Sequence, residues 1–499
     1  MTALIDAHAL PDHTVLTPDI AIVGGGPAGI SLALALAGTK LKVALLESGG
    51  MNFDRATQKM YAGGETGVHY TALDQGRLRF MGGSSNHWGG WCRPLDAIDF
   101  ETRDGVAHSG WPFARATIEP YFSRAQALCE AGAWTYDRIV DNAQQGPLLP
   151  LGAGGLYTSW FQFSKTRDGI LPTYFGTRYA DDLKKAANVT PYTNANVTGI
   201  RLAANAQSVD HLDVVTLNGK RVTVKPRLTV LAAGAIEIAR LMLASNDVMK
   251  PGVGNQNDLV GRYFADHPVP RHVATLVAFN GSLAACYGSN VTLNNGALMR
   301  VALSPTAQFC RSHNVVGSLT TIEEAAEMDE TGKAAVITTA IALGVNASNA
   351  KAYWVGCGME LEPDPDRRLT LTGDKDALGM PRLKLDMRIS DQDFARYRRT
   401  LEELGRQLLA SKAGMLRISY NHREEWLQAM DWGNHHLGTT RMSDDPKNGV
   451  VNADSQVHGI ANLFVAGSSV FPTYGSSNPT LNLIALTLRL ADHLKKVTA

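Results

Sequence analysis

The 499 residues exceed what one hydrophobic core usually serves, so two interwoven lobes are expected, and 44% apolar with 19% charged residues describe an ordinary globular chain. Forty-seven basic residues balance forty-seven acidic ones with no basic patch, which speaks against a nucleic-acid footprint. Five scattered cysteines (Cys92, Cys129, Cys286, Cys310, Cys357) form no CxxC pair, which argues against an iron–sulfur cluster, a structural zinc or a disulfide frame; no metal site is expected, and a reducing compartment suits them.

In chain order, Met1 to Asp19 lacks the basic start and apolar stretch of a secretory signal. Ile20-Ala21-Ile22-Val23 is an apolar run of strand length, followed by Gly24-Gly25-Gly26-Pro27-Ala28-Gly29 and a helical stretch from Ile30 to Ala37. A second strand, Lys42 to Leu46, ends in Glu47, which completes a βαβ unit. Met81 to Gly90 is dense in glycine, and Arg227 to Ala235 predicts another central strand ending at a turn. Weaker periodicity over roughly 111–190 and 270–430 is assigned to a second, largely antiparallel lobe. Within it Ala334 to Val345 is the nearest approach to a membrane segment, yet it is short of the roughly 18 residues required and reads as a buried strand or helix. Near the end come a strand (Leu463 to Ala466), a Gly467-Ser468 turn, and a helix from Asn478 to about Lys495. The expected division is therefore a discontinuous nucleotide-binding domain of 1–110, 191–269 and 431–499, with 111–190 and 270–430 as the substrate domain. A cytoplasmic location is expected, with export alongside a partner subunit left open.

Gly24-x-Gly26-x-x-Gly29 puts glycines where a tight turn, a close pyrophosphate and helix–strand packing each exclude a Cβ. Pro27 and Ala28 open the helix, whose N-terminal amides and dipole favour a phosphate. Glu47 is placed to accept from ribose hydroxyls, and a carboxylate there disfavours the 2′-phosphate of NADP.

The segment Met81-Gly82-Gly83-Ser84-Ser85-Asn86-His87-Trp88-Gly89-Gly90 resembles the glucose–methanol–choline (GMC) oxidoreductases. So do His435-His436-Leu437-Gly438-Thr439-Thr440-Arg441-Met442, Gly467-Ser468-Ser469-Val470-Phe471-Pro472-Thr473 and Gly475-Ser476-Ser477-Asn478-Pro479-Thr480-Leu481. These anchors fall in the family's order from one end of the chain to the other, and the look is closest to the branch of pyranose oxidases and bacterial glycoside dehydrogenases. The resemblance implies an α/β fold with a Rossmann-like FAD-binding domain and a second α+β substrate domain on a largely antiparallel sheet. It implies oxidation of a CH–OH group, a secondary ring hydroxyl at C2 or C3 of a sugar or glycoside, by hydride transfer to flavin N5. His435, heading H-x-x-G, would be the base rather than the adjacent His436, and Asn478 would hold the same oxygen. Asn478 before Pro479 also fits a helix cap.

By the same resemblance, Gly82, Gly83, Ser84, Asn86, His87 and Trp88 would line the flavin, Val197 would meet the adenine, and Ala233-Gly234 would lie near the adenosine. Gly467-Ser468 would touch the pyrophosphate, and Thr480 the pyrimidine edge. His87 keeps the spacing at which relatives bond the flavin 8α-methyl carbon, and the sequence leaves a bond or mere packing open. Gly261 to Pro268 also resembles the sugar-oxidising branch and is read as structural, without a catalytic role. Of Trp88, Trp91 and Trp111, at least two are expected in the core rather than as sugar platforms. Gly89, where pyranose 2-oxidases carry threonine, favours a dehydrogenase over an oxidase. The electron acceptor (oxygen, a quinone or a partner protein), the oligomeric state and a non-sugar alcohol substrate stay open, as does a redox-silent lyase on the same fold.

Overall fold

The computed structural model describes residues 4–136, 148–165 and 172–498. At its centre is a six-stranded sheet whose order is Ile5–Asp6, Val189–Thr193, Val43–Leu46, Ile20–Val23, Leu228–Leu231 and Leu463–Val465, parallel throughout. Ile20–Val23 and Val43–Leu46 are buried at every position, as a parallel strand covered on both faces requires. The helix Pro27–Leu36 crosses between these two strands, with Gly26 before it and Pro27 at its first position. The long terminal helix Pro479–Val497 packs along it.

Two segments depart from the expected limits. The helix Phe175–Lys185 packs on Pro27–Leu36, and the strand Val189–Thr193 inserts beside Val43–Leu46, so the chain from about 175 joins the parallel sheet. In the other direction, Trp91–Cys92 forms an edge of the large antiparallel sheet. That sheet runs Gly414–Ile418, Ala274–Ala278, Lys351–Met359, Ser318–Ala325, Leu298–Pro305, Leu156–Phe163 and Trp91–Cys92, with Val291–Thr292 added on Leu298–Pro305. Every pairing in it is antiparallel.

The apolar stretch at 334–345 is a helix, Glu330–Leu343, but its expected burial is corrected. Only one side packs, through Val336 and Ala340, while Ile337 and Ile341 are 60% and 75% exposed. Its apolarity runs round the helix instead of forming one stripe, so composition alone overstated how much of it is covered. Among the described residues no helix is long and apolar enough to cross a membrane.

Candidate active site

The carboxyl ends of the parallel strands open onto a cavity of about 360 Å³, which continues to the rim of the antiparallel sheet. Its first wall is the turn after Ile20–Val23. Gly24 has φ +112°, and a Cβ there would lie 2.6 Å from Ala232 O, so the close crossing of two strands demands glycine. A Cβ on Gly29 would lie 1.9 Å from Gly24 O, so this glycine lets the helix lie on the turn. Gly26 differs: a Cβ there meets nothing within 4 Å, because its open side is the cavity. Gly26 and Ala28, on either side of Pro27, which has no N–H, thus present the unpaired amides of a helix start to empty space, a ready seat for phosphate.

Glu47 stands at the next strand end, 5% exposed. Its Oε2 accepts from Gly25 N at 2.7 Å and its Oε1 from Gly49 N at 2.8 Å, so the carboxylate also braces the turn it faces. Val197, Ala233, Gly234, Gly467 and Ser468 complete this end of the cavity. At the other end Gly83, Ser84, His87 and Trp88 line the wall, with Thr480 from the terminal helix. Gly29, Gly82 and Asn86, expected to bind cofactor, stand behind the wall instead. Gly82 has φ +98° and no room for a Cβ against Gly176 N at 2.7 Å; Asn86 donates to Met81 O and Gly83 O, both at 3.0 Å, and so holds the turn rather than a ligand.

His435 lies half-buried on this wall, with its Nε2 3.1 Å from Asn478 Nδ2. Asn478 precedes Pro479 as expected, yet its side chain makes no capping bond to the helix. Its Oδ1 is buried without a hydrogen-bond partner among the described residues, at a cost of about 1–3 kcal/mol unless a ligand satisfies it. Burial, then the neighbouring His267 and His436, hold the His435 pKa well below 6.5. His436 also reaches the cavity wall while packing against Tyr70 and Phe264, and burial lowers its pKa to about 3. Burial also lowers the His87 pKa. Trp111 is core, tilted against Phe100 and Phe471; Trp88 and Trp91 reach the cavity.

The segment 261–268, read as structural, packs directly behind His435. Antiparallel bonds between Ala265 and Leu437, at 3.1 and 3.0 Å, lay it along the chain that carries His435. His267 Nδ1 lies 2.9 Å from His435 Nδ1, and Asp266 Oδ1 accepts from the backbone N–H of both histidines at 2.7 Å. Tyr70 donates to the other Asp266 oxygen at 2.5 Å, and burial lifts the Asp266 pKa to about 7. Asp266, His267 and His435 hold ligand-type atoms within 4.8 Å of one another, but each of these atoms already has a hydrogen bond. Sequence reading also missed Arg77 and Arg79, which line the cavity and share Glu237 at 2.9 and 3.4 Å. Their i, i+2 spacing before the glycine segment puts both on one side of an extended chain, a signal that was available.

These residues fit a flavin dinucleotide. The Gly26 opening and bare helix amides suit a pyrophosphate, the Glu47 carboxylate suits a ribose, and the orphaned Asn478 Oδ1 sits at the far end where a reacting ring would lie. Residues 19–256 match the family described as FAD dependent oxidoreductase, and residues 363–487 match that described as GMC oxidoreductase. The chain is 26% identical to the fructose dehydrogenase large subunit of Gluconobacter japonicus, over 96% of this chain and 98% of that one. It is 23% identical to the 2-methyl-1,2-propanediol dehydrogenase of Mycolicibacterium austroafricanum, over 96% and 95%. With the C-glycoside 3-oxidase of Microbacterium trichothecenolyticum it shares 26% identity over 87% and 78%. The crystal structure of pyridoxine 4-oxidase from Mesorbium loti shares the fold, with a TM-score of 0.61 and 20% identity over 96% of this chain and 99% of that one. Fold and site together define an FAD-dependent oxidoreductase acting on CH–OH donors. Over residues 363–487 the chain is similar to the glucose–methanol–choline oxidoreductases.

Proposed function

We propose that this protein oxidises a secondary ring hydroxyl, at C2 or C3, of a sugar or glycoside, with His435 as the base. The observation that carries the reading is the His435–Asn478 pair on the cavity wall, its Asn478 Oδ1 left without a partner. FAD, held by the Gly24–Gly29 turn, Glu47 and the 83–88 wall, supplies the hydride acceptor. A substrate hydroxyl entering between the two side chains would donate its proton to His435 Nε2 and accept from Asn478 Nδ2. Removing that proton as the hydride departs keeps charge from building on the carbinol, and an amide, which does not titrate, holds the oxygen throughout. Low pKa keeps His435 in its accepting, neutral form.

Relatives named for fructose and for C-glycosides support a sugar or glycoside; one named for 2-methyl-1,2-propanediol supports a second reading, a small non-sugar alcohol. Anaerobic bleaching of the flavin across a panel of glycosides and simple alcohols separates them. A ketosugar is the expected product, and an aldehyde from a primary alcohol would sink the first reading. Gly89, on the cavity wall beside Trp91, supports dehydrogenase chemistry with a quinone or partner protein as acceptor. Reoxidation faster with a quinone than with oxygen is expected, and the reverse makes the protein an oxidase.

A further inference from the structure

We propose that His267 sets the tautomer of His435, and through it the orientation of the Asn478 amide, by a one-way chain of hydrogen bonds that begins at the Gly475 carbonyl. The proposal rests on the reading of His435 as the base and adds a positioning residue behind it.

The chain follows from which atoms can only accept. His267 Nε2 lies 2.9 Å from Gly475 O. A carbonyl offers no proton, so the imidazole N–H must be on Nε2. A neutral imidazole has one N–H, so His267 Nδ1 is a bare lone pair. His435 Nδ1 faces it at 2.9 Å and must therefore donate. That leaves His435 Nε2 bare, and it is this atom that lies 3.1 Å from Asn478. A lone pair there calls for the amide NH2, which turns Asn478 Oδ1 away and leaves it the unpartnered atom. Each link dictates the next, and the last is an accepting Nε2 that meets the Asn478 amide on the cavity wall.

The surroundings keep His267 neutral. It is 4% exposed, and burial lowers its pKa to about 4, against the opposing pull of Glu360. Glu360 is itself engaged, accepting from Arg103 at 3.1 Å and from Tyr474 N at 2.8 Å. The Tyr474 ring stands edge-on to His267 at 4.8 Å, and its hydroxyl donates to Asp266 O. Asp266 spends its side-chain oxygens on two backbone N–H groups and Tyr70, so it fixes where the two histidines sit, not which ring nitrogen carries a proton. Gly433 completes the fit, since a Cβ there would lie 2.9 Å from His435 Nδ1. The opposite tautomer would put a proton on His435 Nε2 and turn the acceptor into a donor. When His435 takes the substrate proton, the His267 lone pair still receives its Nδ1–H, so the cation meets an acceptor behind it.

Two measurements on the holoenzyme test this. In 15N-histidine-labelled protein at neutral pH, with the signal assigned by its loss in His435→Gln, His435 is expected as the Nδ1–H tautomer. Finding it as Nε2–H overturns the proposal. Substitution gives a readout that plain space-filling would not. His267→Asn keeps an amide oxygen near the Nδ1 position and is expected to hold flavin reduction within about tenfold. His267→Gln reaches toward Gly475 but leaves His435 Nδ1 without its acceptor, and is expected to slow reduction by about a hundredfold. Equal rates, or Gln outperforming the smaller Asn as a filler would, overturn it. If neither variant folds, the wild-type spectrum still decides. Near-normal reduction by His435→Ala would remove the base reading while leaving the tautomer measurement standing; a wrong tautomer with His435 essential removes His267 alone.

Discussion

His435 is held neutral, because burial and two neighbouring histidines oppose a positive charge on it. Lowering the pKa widens the range in which the base is competent: protonation, which abolishes it, occurs only below 6.5. The pH profile of kcat/KM should therefore show one rising limb, with its midpoint below 6.5, and then a plateau through neutrality. A second limb, or a midpoint above that value, would contradict a lone neutral histidine. His435→Ala should slow flavin reduction by about a hundredfold or more while FAD stays bound, followed by stopped-flow absorbance. His87 faces the same cavity, exposed to it, and partial desolvation lowers its pKa, which favours the neutral form able to bond carbon. Acid precipitation decides between bond and packing: a yellow wild-type pellet that turns colourless in His87→Ala supports the bond, and flavin freed wholly from wild type removes it.

At the scale of the element, the glycine turn separates two jobs that a motif string merges. Gly26→Ala adds a methyl into the cavity at an ordinary φ of −82°, so the fold should be undisturbed. It should instead weaken FAD by about tenfold, the equivalent of one impaired hydrogen bond to a charged group, about 1.5 kcal/mol. Gly29→Ala forces the helix off the strand turn and should cost about 1–3 kcal/mol in stability, with FAD loss as a consequence. Thermal melts of apoprotein alongside FAD titration distinguish them, and a destabilised Gly26→Ala apoprotein would refute the assignment. The terminal helix makes a related point. Pro479 starts it, and the preceding asparagine gives up its cap to face His435, so local stability yields to the site.

Across the whole molecule, charge is buried where separate pieces of chain meet the cofactor cavity. Arg77 and Arg79 from the loop, Arg240 and Glu237 from the helix Ala235–Ala244, and Asp376 from the far segment form one network. Burial pushes the Glu237 carboxyl up, but the three arginines prevail and hold it at about 2. Glu237→Ala would strand buried arginines and should cost about 3–5 kcal/mol, read as a lowered Tm. Because the folded pKa is depressed, its contribution is present above the ordinary 4.5 and is lost as pH falls toward 2. His267, His435 and His436 act earlier in the same direction. Their folded pKa values lie below 6.5, so the unfolded chain binds more protons below that pH and stability falls on acidification. Asp266, raised to about 7, opposes them between its ordinary value and that pH, one group against three. Calorimetry should show Tm falling steadily from pH 6.5 to 4; a flat Tm would mean these histidines are not neutral in the fold.

The nucleotide unit was legible in the chain, as were His435 and Asn478, which the fold brings together on the cavity wall. A βαβ unit is local, its glycines, strands and acid lie within thirty residues, and hydrophobic periodicity reports such elements directly. His435 and Asn478 were legible because each heads a distinctive short motif. The rest depends on chain brought from afar. Phe175–Lys185 buries Phe175, Tyr179 and Leu183 along one face, but such periodicity says which face is covered and not which sheet the helix and the following Val189–Thr193 join. Ile337 and Ile341 are apolar yet exposed, because composition does not say which side of a helix finds a partner. His267 lies 168 residues from His435, and its bearing on the proton of that ring arises from a hydrogen-bond direction fixed by a third segment at Gly475. No window of sequence holds that information, since a carbonyl's power to dictate a tautomer exists only once folding has set it 2.9 Å from the ring.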